Sequence, residues 1–107
     1  MKSHFEIDQR SLALARAVAA EIDHDPERRG LQKARGTCLR WFRNYPAPAV
    51  AEWLDILNQQ WDDVRAVLLN EDELGQRLRQ SSPFCGIISS KTRWNIYRRF
   101  THESKTA

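Results

Sequence analysis

Apolar residues recur along this chain at spacings of three and four, and nowhere do they alternate at period two for long enough to compete. The pattern predicts an all-α fold. A first stripe, Leu12, Ala15, Val18, Ala19 and Ile22, follows Asp8 and ends at Asp23 to Asp25. Asp25 before Pro26 reads as an N-cap with a first-turn proline, opening a second helix to Asn44 that turns Leu31, Ala34, Cys38, Trp41 and Phe42 inward. Tyr45-Pro46-Ala47-Pro48 ends that helix, because proline lacks the donor a helix interior needs. A third helix from Pro48 to Gln59 buries Val50, Trp53, Leu54 and Leu57, and a fourth from Trp61 buries Trp61, Val64, Val67 and Leu68.

Asn70 with Glu73 spells a capping box for a short fifth helix to about Gln80. Ser81-Ser82-Pro83 stops it, and after a loop through Phe84, Cys85, Gly86, Ile87 and Ile88, Ser89 or Ser90 caps a last helix with Trp94, Ile96, Tyr97 and Phe100 inward. The expected architecture is one domain over residues 1–107, a compact bundle of five or six short helices, with 1–7 and 102–107 as frayed tails.

Length and composition agree with that pattern. A chain of 107 residues buries roughly 65% of its unfolded surface without help from metals or disulfides. Its 41% apolar content and four tryptophans supply a core, which excludes global disorder. No apolar run approaches the ~18 residues of a membrane span, and Met1 to Glu6 lacks the apolar stretch of a signal peptide, so the expected location is the cytoplasm. Cys38 and Cys85 are expected there as buried free thiols.

Charge changes the picture, because it is sorted along the chain. Arg28 to Arg43 holds six cations and no anion, Glu52 to Glu73 seven anions and one cation, and Arg77 to Arg99 six cations and no anion. Separated lobes create local potentials that select a partner of opposite sign. On the second helix Arg29, Lys33, Arg40 and Arg43 fall within an arc of about 80° opposite the apolar stripe, with Gly36 on the same face. This basic ridge reads as a track for an acidic protein surface or for phosphates, Gly36 allowing close approach, or as a solvated face whose glycine serves helix packing. The last helix adds Lys91, Arg98 and Arg99 on its outer side. Arg93 falls inside the arc of Trp94, Tyr97, Ile96 and Phe100, so it is read as paired with Asp62, Asp63 or Asp55, or as an interface anchor.

Candidate chemistry is sparse. His4, His24 and His102 lie far apart and neither cysteine sits at a ligand spacing, so no metal site or cofactor is expected. No nucleophile with a recognisable base, phosphate loop or glycine-rich fingerprint is present. The aromatics interleaved with the basic residues fall on stripes a helical core needs, which favours core over base stacking.

The string Leu78-Arg79-Gln80-Ser81-Ser82-Pro83-Phe84-Cys85-Gly86-Ile87, with Arg93-Trp94, Arg98-Arg99-Phe100 and the opening Asp8-Gln9-Arg10-Ser11-Leu12-Ala13-Leu14, resembles a family of small bacterial all-helical proteins. The chain departs from that pattern at Ser89-Ser90-Lys91-Thr92. Such proteins look like accessory or antitoxin-like genes of toxin-antitoxin or phage-defence loci, and the resemblance implies a role in binding another protein. The expected function is therefore a non-catalytic, antitoxin-like or regulatory module that binds another bacterial protein. The alternatives are nucleic-acid binding through the ridge of the second helix, and a small enzyme without a recognisable motif.

Overall fold

The computed structural model describes the backbone of residues 4–106 and the side chains of residues 7–100. Six helices follow one another: α1 (His4–Asp23), α2 (Arg29–Asn44), α3 (Pro48–Leu57), α4 (Trp61–Leu68), α5 (Glu73–Arg79) and α6 (Ser90–Thr106). They cover 73% of the chain, and no strand forms among the described residues. α1 is the central element, packing against α2, α4, α5 and α6, while α3 packs against α2 and α4, and α4 against α5. None of the helices is long and apolar enough to cross a membrane. Residues 4–7 and 102–106, expected as frayed, lie in α1 and α6; of the expected tails only 1–3 and 107 fall outside the described residues.

The predicted stripes of α1, α3 and α4 meet in one core. Val18, Ala19, Ile22, Leu31, Ala34 and Cys38 pack with Trp53, Leu57, Trp61, Val64 and Leu68. Trp53 is fully buried at its centre. Its indole N–H donates to the Leu78 carbonyl at 2.9 Å, and its ring meets Phe84 edge-on with centroids 5.8 Å apart.

Local chemistry moves several boundaries. α2 begins at Arg29, not at Pro26, because Asp25 to Arg28 form a turn in which the Asp25 carboxylate accepts from the backbone N–H groups of Glu27 and Arg29. Arg28 closes that turn in the left-handed region, at φ 51°. There its guanidinium donates to the carbonyls of Ile22 and Asp23, at 2.8 and 2.9 Å, which end α1. The capping box is also corrected. Asn70 Oδ1 accepts from the N–H groups of Asp72 and Gly75, making Asp72 the N-cap of α5 without a side-chain bond of its own. A Cβ on Gly75 would collide with the Asn70 carbonyl, so the close approach of that turn requires glycine. Ser89 does cap α6, its hydroxyl accepting from the Thr92 N–H at 3.1 Å.

The last residue of α1 ties two helices together. The Asp23 carboxylate accepts from the Trp61 indole N–H at 2.7 Å and from Arg65 Nε at 3.0 Å, joining α1 to the start of α4. The Trp61 bond, with Arg65 beside it, outweighs desolvation and holds the Asp23 carboxyl below its ordinary range. Glu52, bonded to Arg77, and Asp25, bonded to the Arg29 backbone, are lowered as well. A carboxyl lowered in the fold contributes stability above its unfolded value, and the contribution is lost as pH falls through the folded value. The urea midpoint should therefore fall between about pH 6 and about pH 3, and Asp23→Asn should narrow that difference. A midpoint equal at both pH values, or a difference unchanged in Asp23→Asn, would contradict this assignment.

Candidate functional site

The basic ridge forms on the outer face of α2, but its cations do not share one role. Arg29 is exposed and pairs with Asp25 at 3.1 Å and Glu27 at 3.5 Å. Lys33 reaches across to the loop before α6, donating to the Gly86 carbonyl at 3.0 Å, where Gly86 takes φ 73°. Arg35 donates to the Leu57 and Gln59 carbonyls at the end of α3 and so caps that helix. With Arg28 spent on the end of α1, four of the six cations between Arg28 and Arg43 are engaged within the fold, which leaves Arg40 and Arg43. Both are exposed and make no ion pair or side-chain hydrogen bond among the described residues.

The second half of α2 and the residue after it also expose apolar side chains. Leu39 is 46% exposed, Phe42 38% and Tyr45 78%. Leu39 flanks the ridge, Phe42 lies toward the opposite, apolar side of α2, and Tyr45 follows the last turn. Phe42 was expected inward; it is exposed in the last turn of α2, one turn beyond Cys38, whose thiol reaches the Val50 carbonyl of α3. Trp41 is half-buried. Nothing lies within 4 Å of a Cβ built on Gly36, so this glycine does not serve helix packing and leaves the face flat between Lys33 and Arg40.

α6 differs most from its sequence reading. Ile96 is its one buried residue among those described, whereas Trp94 is 62% exposed. α6 packs mainly on α1, with Tyr97 half-buried under the Arg10 guanidinium 5.0 Å away. Arg93 is exposed and is paired with none of Asp55, Asp62 and Asp63, since those acids belong to α3 and α4. Arg98 and Arg99 are exposed on the same helix. The structure thus brings Arg40 and Arg43 together, and places Arg93, Arg98 and Arg99 on another element.

The cation that is buried is Arg79, which the periodicity did not single out. Its side chain is 2% exposed, pairs with Asp8 at 3.1 Å and donates to the Leu68 and Asn70 carbonyls that end α4. The string from Leu78 to Ile87 has more content than a helix stop and a turn: Leu78 receives the Trp53 bond, Arg79 gathers α1 and α4, and Pro83 and Phe84 plug the core. A cation one residue after a buried leucine, in a helix of seven residues, is the only signal the sequence offered. Both cysteines are free. Cys38 is buried, which raises its pKa, while Cys85 is exposed, contrary to expectation, because it follows the Phe84 plug on the outer side of the loop. No protein-family model, curated protein or solved structure matches the chain.

Proposed function

We propose that this chain is a non-catalytic binding module, antitoxin-like or regulatory, that engages an acidic surface of another protein through the second half of α2. The observation that carries this reading is the pair Arg40 and Arg43, left without carboxylate partners among the described residues, with Leu39 exposed at their flank and Tyr45 exposed just beyond the helix end. Arginine and aromatic side chains are the residue types enriched at protein interfaces, where guanidinium forks select carboxylates and aromatic rings supply buried area. The resemblance noted for the string from Leu78 to Ile87 points in the same direction.

Nucleic-acid binding is the weaker reading on magnitude. With Arg29 paired to acids, the ridge offers about three cations, Lys33, Arg40 and Arg43, to phosphates, whereas nucleic-acid affinity at physiological salt rests on about six to ten such contacts. Capture from a lysate of the source organism after nuclease treatment, with wild-type and R40E/R43E baits side by side, tests the choice. A protein retained by the wild type and lost from the double variant supports it, as does retention that weakens by less than about tenfold between 50 and 200 mM salt. Tight RNA or DNA binding that collapses by a thousandfold or so over that range would replace it.

A further inference from the structure

Away from the α2 face, α1, α6 and the loop before α6 enclose a cleft of about 230 Å³. Its walls are apolar, with Val18, Leu68 and Phe84 among them, and its charged lining consists of Arg79 and Arg93 with no acid. Tyr97 contributes a phenol at its side. The cleft is therefore a mostly apolar recess with one exposed guanidinium, Arg93, and one buried in its wall, Arg79, which is already paired with Asp8.

Arg79 is built for a fixed acceptor. Its terminal nitrogens are held by Leu68, Asn70 and Asp8, so the guanidinium cannot swing, yet its Nε–H has no hydrogen-bond partner among the described residues. A buried donor left unmet carries a desolvation penalty that an anionic acceptor removes, and a donor already fixed loses little freedom when it is met. Arg93, exposed and without an ion pair among the described residues, adds a second charge at the same recess. At about 30 Å³ per water-sized group the cleft holds about eight heavy atoms.

We propose that this cleft binds a small apolar carboxylate, the carboxylate on Arg79 Nε–H and Arg93 and the hydrocarbon on Val18, Leu68 and Phe84. Such a group has two sources, a free short-chain acid or the C-terminal residue of another chain, and terminal carboxylates are a known mode of peptide capture. The site goes beyond the α2 surface and shares no residue with it.

Titrations of the full chain followed by ¹H–¹⁵N NMR, at constant ionic strength, read both the Arg79 Nε–H and the backbone amides of Ser81, Ser82 and residues 84–88. The probes are sodium hexanoate and N-acetyl-glycyl-leucine, with hexanamide and N-acetyl-glycyl-leucinamide as their neutral counterparts. Saturable shifts are expected, with an acid at least about tenfold tighter than its amide, since a charge-assisted bond to a buried donor is lost in the amide. Binding of hexanoate alone assigns a free acid, and binding of the leucine peptide alone assigns a chain terminus. Arg93→Gln, at an exposed position, should weaken the acid by about threefold or more without moving the thermal midpoint. The absence of saturable shifts at tens of millimolar, equal affinity for acid and amide, or an unaltered affinity in Arg93→Gln would overturn the proposal.

Discussion

Trp53→Ala is expected to cost about 4 to 5 kcal/mol of stability, the upper part of the range for removing a large aromatic from a core. Three losses coincide at this position. The indole is fully buried, so its removal leaves a cavity walled by α2, α4 and the Phe84 plug. The Leu78 carbonyl loses the donor it meets at 2.9 Å, and a buried acceptor without a partner costs about 1 to 3 kcal/mol. The edge-on contact with Phe84 goes as well. Small domains have only about 5 to 15 kcal/mol to lose, so the variant should melt near ambient temperature. Trp53→Phe keeps most of the volume and should recover more than half of the loss. A denaturant melt showing less than about 1 kcal/mol for the alanine would mean that the core does not close on this ring.

Arg79→Met should cost about 3 kcal/mol, at the low end of the range for breaking a buried pair. The guanidinium is what satisfies the carbonyls ending α4, at Leu68 and Asn70, while holding Asp8 of α1. Methionine fills the stem's volume but leaves those acceptors unmet. Asp8 keeps partial access to water at 19% side-chain exposure, which keeps the loss from reaching the upper end. Asp8→Asn alone should cost less than half as much, because the two carbonyls retain their donor. If urea unfolding of Arg79→Met matched the wild type within about 0.5 kcal/mol, the guanidinium would be a bystander.

How much of this was legible in the sequence depended on whether the signal was periodic. Stripes in α1, α3 and α4 are long runs at one spacing, and each landed in the core where the spacing put it. α6 misled because four large apolar residues suggested a broad inward face, yet the helix packs mainly on α1 and needs only Ile96 buried, with Tyr97 and Phe100 half-covered and Trp94 left outside. The start of α2 and the turn before α5 were missed by a few residues because Asp25 and Asn70 cap through turns that periodicity does not register. The ridge was visible as a face. The division of the six cations from Arg28 to Arg43 into four engaged within the fold and two free ones was not, since the partners of Lys33 and Arg35 are backbone carbonyls distant in sequence, at Gly86, Leu57 and Gln59. Backbone acceptors exist at every residue, so the choice among them belongs to the tertiary fold.

The most direct measurement is the dissociation constant, at about 150 mM salt, between the purified chain and the protein that the wild-type bait retains, compared across R40E/R43E and R98E/R99E. Both substitution pairs are exposed and should leave the melting temperature nearly unchanged. Reversal of Arg40 and Arg43 is expected to weaken association by more than about tenfold, and reversal of Arg98 and Arg99 by less than about threefold, because lost complementarity and new like-charge repulsion act only where the partner's acids sit. Equal losses in the two variants, or an affinity that R40E/R43E leaves intact, would contradict a docking surface on α2.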